Sequence, residues 1–161
     1  MPMRVPKIYL ETSVFNFCFA DDAPDKCQDS LDLFDEIKNG KYLPYTSDYV
    51  LDELRRASEP KRGKMIALLS QYSITVLPTS TEAEKLAAAY VAENIIPKKY
   101  ITDAVHIAMA TVSDIECIVS FNFQHIVKRK TVIMTELVNL REGYRRIGIF
   151  SPTEVIENDE E

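Results

Sequence analysis

Short apolar runs suited to strands alternate with segments suited to helices along most of this chain. That order constrains the fold more than any other feature. Lys7 to Leu10, Tyr42 to Thr46, Ile74 to Leu77, Cys117 to Val119 and Thr131 to Met134 read as strands, with a last extended piece at Ile149 and Phe150. Between them the spacing predicts helices over Asp29 to Asn39, from a Ser47 or Asp48 cap into Arg55 and Arg56, and over Lys64 to Tyr72. Further helices are predicted over Thr81 to Asn94, Asp103 to Val112 and Glu136 to Arg146, with Gly40 as a C-cap and Thr102 as an N-cap. Alternation of this kind predicts an α/β sandwich with a mostly parallel sheet.

In open parallel sheets, ligands sit beyond the carboxyl ends of the strands. Glu11 ends the first apolar run and Asn122 follows the Cys117 strand, so both fall on that edge. Asp103 opens a helix that is apolar on most sides through Ala104, Val105, Ile107, Ala108, Met109 and Ala110. A helix apolar nearly all round is buried, and a buried carboxylate needs partners. Glu53 lies on the helix after Ser47. Three carboxylates and a carboxamide suit an oxygen-ligated Mg²⁺ or Mn²⁺. Without a counter-charge, close acid pairs would repel by roughly 4 kcal/mol each at an effective dielectric near 20.

Each residue also has a structural use. Glu11 can cap the next turn, Asp103 suits a helix N-terminus, Asn122 suits a turn, and Glu53 can pair with Arg55 or Arg56. His106, three residues after Asp103, reads as a core histidine bonded to backbone, and His125 reads as structural. Ser13 lies near Glu11, but no Ser-His-Asp order or glycine elbow supports a nucleophile. With four glycines there is no phosphate-cradling loop.

At 161 residues and 46% hydrophobic, the chain is expected to form one domain over residues 1–156, followed by an acidic tail at 157–161. Cys18, Cys27 and Cys117 lack the paired spacing of a zinc site and read as reduced, cytoplasmic thiols. No membrane span and no secretion signal are expected. The formal charge of −6 hides basic clusters at Lys61, Arg62 and Lys64, at Lys98 and Lys99, at Lys128 to Lys130, and at Arg141, Arg145 and Arg146. A shared role would require them to converge on one face.

Four pieces in order resemble the PIN-domain superfamily of metal-dependent nucleases, which includes the VapC-type toxins of toxin–antitoxin pairs. They are Ile8-Tyr9-Leu10-Glu11-Thr12-Ser13, Val50-Leu51-Asp52-Glu53-Leu54, Thr102-Asp103-Ala104-Val105-His106-Ile107-Ala108 and Ile118-Val119-Ser120-Phe121-Asn122-Phe123. The resemblance runs from Ile8 to about Ile156. It implies a Rossmann-like, three-layer α/β/α PIN fold, Mg²⁺- or Mn²⁺-dependent hydrolysis of RNA, a homodimer and a cognate antitoxin. It places Glu11, Glu53, Asp103 and Asn122 in the catalytic pocket, with Glu11 and Asp103 as leading metal ligands. The family usually has Asp where Glu11 stands, and often Asp where Asn122 stands, so weak metal binding is expected. A second reading is a catalytically weakened module that binds RNA or protein. A flavodoxin-like or receiver domain fits less well, because it calls for an acidic pair after the first strand.

Overall fold

The computed structural model describes residues 4–156; the acidic stretch from Glu157 to Glu161 lies outside them. The chain opens with β1 (Lys7–Leu10), α1 (Thr12–Phe17) and α2 (Pro24–Lys38), then β2 (Leu43–Ser47), α3 (Asp48–Arg55) and α4 (Lys61–Gln71). It continues through β3 (Thr75–Leu77), α5 (Thr81–Ala92), a 3₁₀ turn (Lys98–Tyr100) and α6 (Ile101–Val112). The last part is β4 (Cys117–Val119), α7 (Arg129–Arg141), β5 (Gly148–Phe150) and α8 (Pro152–Val155). Five strands form one sheet in the order β3-β2-β1-β4-β5, and every pairing is parallel.

The order explains the layers. From β1 to β3 the chain steps one way across the sheet, and from β3 to β5 it steps the other way. Right-handed crossovers then place the connecting helices on opposite faces. The packing agrees: α1 lies against α2, α3 and α4, whereas α5 lies against α6 and α7. The result is the expected three-layer α/β/α sandwich. A strand covered on both faces should be apolar throughout. Ile8, Tyr9 and Leu10 of the central β1 are fully buried, as are Ile118 and Val119 of β4. α6, between the sheet and α5, buries every residue from Ala104 to Thr111.

Local chemistry sets several boundaries. Ser47 caps α3 by accepting from the Val50 N–H at 3.3 Å, and Ser80 caps α5 by accepting from Ala83 at 3.1 Å. Thr102 is not a cap. The 3₁₀ turn runs straight into α6, so Thr102 lies inside its first turn and Tyr100 holds the cap position. α2 begins at Pro24, earlier than the apolar spacing indicates, with the proline in the first turn, where its missing N–H costs nothing. The short helices α1 and α8 are too brief to leave a periodic signature.

The largest departure is at Thr131 to Met134, which reads as a strand but lies inside α7. The buried stripe of α7 is Thr131, Thr135, Val138 and Asn139, at helical spacing but largely polar. The Thr131 hydroxyl donates to the His125 carbonyl at 2.8 Å, and the Thr135 hydroxyl to the Thr131 carbonyl at 2.6 Å. Ile133, Leu137 and Leu140 meanwhile face solvent. The helix stops at Arg141 rather than Arg146. Gly143 adopts φ +85°, and Tyr144 N–H returns to the Asn139 carbonyl at 2.7 Å, closing a Schellman motif.

Candidate active site

At the switch point of the strand order, between the carboxyl ends of β1 and β4, Leu10 and Val119 pair in register. Glu11 follows directly. Its N–H continues the ladder to the Val119 carbonyl at 3.1 Å, and its side chain is buried, with 5% of the residue exposed. Ser13 and Ser120 each donate a hydroxyl to Glu11 Oε1 at 2.6 Å. Both serines are oriented by the turn after β4: Ser13 Oγ accepts from Phe121 N–H at 2.8 Å, and Ser120 Oγ from Asn122 N–H at 2.9 Å. With their oxygens accepting from backbone, the hydroxyl hydrogens point to the carboxylate. Among the described residues, Glu11 Oε2 has no hydrogen-bond partner.

Glu53 is held in the same one-sided way. Its Oε1 accepts from the Thr12 hydroxyl at 2.7 Å and from His106 Nε2 at 2.7 Å, while Oε2 has no partner among the described residues. The neighbouring arginines are not its main partners: Arg55 pairs with Asp52 at 3.7 Å, and Arg56 contributes only a distant charge. His106 is fully buried and bonded to side chains rather than to backbone. Its Nδ1 meets Tyr9 Oη at 2.8 Å, and Tyr9 Oη meets Ser47 Oγ at 2.6 Å. When the imidazole is neutral, donation runs from Val50 N–H through Ser47 and Tyr9 into Nδ1. When it is protonated, Nδ1 donates to Tyr9 instead. In both states Nε2 donates to Glu53, so Tyr9 and His106 fix the rotamer of that carboxylate.

Asp103, half-buried in the first turn of α6, completes the group. Burial raises its pKa above the ordinary carboxylate value and the Glu11 charge adds to this, while His106, the Asn122 side chain and His125 pull the other way. The Asn122 amide oxygen accepts from His125 N–H at 3.0 Å, which leaves the amide nitrogen to face Asp103. For His106, burial disfavours the charged ring. The Glu53 hydrogen bond and the charges of Glu11, Glu53 and Asp103 outweigh this and raise its pKa. Glu53 shifts down: burial pushes its pKa up, but the bond and charge of His106 and the Thr12 bond prevail. All three acids therefore act on one imidazole, and Glu11, Glu53, Asp103 and Asn122 meet in a single region.

Among the described residues, no group of three or more His, Cys, Asp or Glu side chains is arranged to hold a metal ion. A hard cation does not require one, since Mg²⁺ commonly keeps several waters and binds through one or two carboxylates plus substrate phosphate. The donors present suit such an ion. Glu11 and Glu53 each keep an unpartnered carboxylate oxygen, and His106 has both ring nitrogens engaged and cannot ligate.

Position along the chain placed Glu11, Asp103 and Asn122 at strand ends and a helix start, while Glu53, in the second half of α3, joined them through the family resemblance. Neither identified Tyr9, Thr12 or Ser120 as supports; the local signals were Ser13 beside Glu11 and His106 sharing a helical face with Asp103.

A parallel α/β domain whose acids gather at the switch point belongs to the class that handles polar ligands at the carboxyl edge of its sheet. The family model of the PIN domain matches residues 8–130, and the chain belongs to the PIN-domain family. VapBC2 from Rickettsia felis, in a crystal structure bound to a promoter DNA fragment, is similar at 14% identity and a TM-score of 0.55, covering 90% of this chain and 98% of that one. VapC20 from Mycobacterium tuberculosis, a toxin that cleaves the Sarcin–Ricin loop, is similar at 14% identity and a TM-score of 0.51, covering 88% and 98%. Both likenesses establish the shared fold. No curated protein matches the chain.

Proposed function

We propose that this chain is a metal-dependent ribonuclease acting as one domain over residues 1–156, in the cytoplasm, as the toxin of a toxin–antitoxin pair. The observation that carries this reading is the one-sided support of Glu11 and Glu53 beside Asp103. Each glutamate is anchored through Oε1 and presents Oε2 unpartnered. Neither Oε2 is among the buried polar atoms left without a partner, so each opens to solvent, where an ion with its waters can reach it. Glu11 and Asp103 would hold the ion, and Glu53 and Asn122 would complete the pocket. A bound Mg²⁺ or Mn²⁺ supplies charge for the developing phosphate oxyanion and lowers the pKa of a bound water.

The protein's own contribution is placement. The serine hydroxyls set the reach of Glu11, His106 sets that of Glu53, and the Asn122 amide steadies Asp103. The similar folds belong to a toxin paired with an antitoxin and to a toxin that cuts an RNA loop. These support an antitoxin partner and an RNA substrate here; the homodimer rests on the family resemblance alone.

A second reading, a weakened RNA- or protein-binding module, is favoured by one feature. The Asn122 side chain is turned to the fold, its oxygen accepting from His125 N–H and its nitrogen facing Asp103, and it brings no negative charge to a nearby ion. Purified protein incubated with mixed RNA and Mn²⁺ separates the two readings. The nuclease cuts, chelator stops it, and Glu11→Gln reduces the rate at least about tenfold through loss of the charge that holds the ion. Cleavage that persists in chelator, or is indifferent to Glu11→Gln in a folded variant, overturns the metal mechanism. RNA binding without cutting supports the module.

A further inference from the structure

The basic clusters divide into two kinds. Arg141 bridges Glu93 at 2.7 Å, Arg145 bridges Asp114 at 3.3 Å and Arg146 bridges Glu136 at 3.4 Å. Lys98, Lys99, Lys128, Arg129 and Lys130 have no ion-pair partner among the described residues, and all are exposed. These unpaired cations lie in segments that adjoin the acidic pocket. Tyr100, three residues before Asp103, stacks on His125 with ring centroids 4.2 Å apart and an interplanar angle of 29°. That stack joins the Lys98–Lys99 segment to the one entering α7, where the Thr131 hydroxyl donates to His125.

A second aromatic group stands next to Asn122. The Phe123 ring lies 5.9 Å from Lys26 Nζ, which also sits 4.9 Å from the Phe17 ring, and Phe17 meets Phe121 edge to face at 4.9 Å. Phe123 is 51% exposed and Tyr100 37% exposed. Lys99 Nζ lies 5.6 Å from the Tyr100 ring. Both exposed rings therefore have an ammonium beside them, and both lie within three residues of a pocket residue.

An apolar protein segment would gain little from such rings, because each ammonium must keep its water. A nucleobase with its phosphate fits both components, the ring by stacking and the cation by charge. We propose that Phe123 and Tyr100 are base-stacking subsites at the rim of the pocket, so the ligand is a single strand whose bases are already unstacked. The proposal rests on the ribonuclease reading and assigns its strand-binding residues.

The test is fluorescence anisotropy of short labelled single-stranded RNA with the full chain in chelator, where nothing is cut. The same RNA carrying abasic positions and a perfect RNA duplex serve as comparisons. Phe123→Ala and Tyr100→Ala should each weaken binding to the ordinary strand by about tenfold. Phe123→Tyr should keep it and Phe123→Leu should not. The alanine variants should lose little further on the abasic strand, because the base each ring held is already gone, and the duplex should bind wild type more weakly than the strand.

Folded alanine variants that bind as tightly as wild type would overturn the proposal. So would equal losses on ordinary and abasic RNA, or a leucine variant as good as wild type. If Phe123→Ala weakens only an acidic peptide probe and not RNA, the rim is a protein-docking site and the proposal fails. Wild type that binds no RNA in chelator overturns the stacking proposal as well, whereas failure to cut RNA with Mn²⁺ sinks the ribonuclease reading itself, so the two failures are distinct.

Discussion

Glu11 shows how much one methylene can decide. Its carboxylate accepts from two hydroxyls at 2.6 Å, both held by the turn after β4. Aspartate there would withdraw the carboxylate by more than an ångström, beyond hydrogen-bond length from both. Glu11, Ser13 and Ser120 therefore form one unit. His106 is the other residue on which the pocket turns. Its pKa is raised in the folded chain, so the stability it contributes is fully present below its unfolded value, about 6.5. That contribution is lost as pH rises through the folded value. Glu53 is lowered, so its contribution is present above its ordinary carboxylate value and lost as pH falls through the folded one. Asp103, being raised, opposes Glu53 in that acidic range. Near neutrality the slope belongs to His106. In chelator, the melting temperature of wild type should fall as pH rises above about 6.5, while His106→Gln should be flat there. His106→Ala should cost about 1–3 kcal/mol at pH 6 by denaturant titration, since it removes one of the two partners of both the Tyr9 hydroxyl and Glu53 Oε1.

At the scale of elements, α7 carries the clearest lesson. β1 and β4 were legible because a buried parallel strand is a short apolar run with few alternatives; β2 is only partly buried and the edge strand β3 has no buried residue, and β-branched and aromatic letters marked them instead. α3 was legible through its Ser47 cap, and α5 because the stretch is alanine-rich and amphipathic. α7 was not, because Thr131, Thr135 and Asn139 face inward and settle their polar groups internally, so the hydrophobic period is absent from the letters. The site divided in the same way. Glu11, Asp103 and Asn122 follow from where strands end and helices begin and Glu53 from the family resemblance, but Ser120 on Glu11 and His106 on Glu53 are contacts across the fold that no local spacing reveals. The stop of α7 gives a test. Gly143 sits at φ +85°, where a Cβ is strained even though nothing lies within 4 Å of it. Gly143→Ala should therefore destabilise by roughly 1 kcal/mol through backbone conformation alone, read as a lower denaturant midpoint with unchanged slope.

For the whole molecule, the formal charge of −6 conceals a rim of unpaired cations around an acidic pocket. Binding of single-stranded RNA in chelator should weaken steeply with salt. Changing Lys99 or Lys128 to Gln should reduce the log–log slope by about 0.7 for each phosphate left without its cation. Arg141→Gln should leave the slope unchanged, because that guanidinium already bridges Glu93 and Glu142.

The sheet order has a further consequence, in time. β1 is made first, but its partner on the pocket side is β4, more than a hundred residues later, and the turn after β4 brings Ser120 and Asn122. A chain still on the ribosome holds Glu11 and Glu53 without Ser120 or Asp103. The pocket therefore belongs to the finished molecule, and synthesis itself delays its assembly.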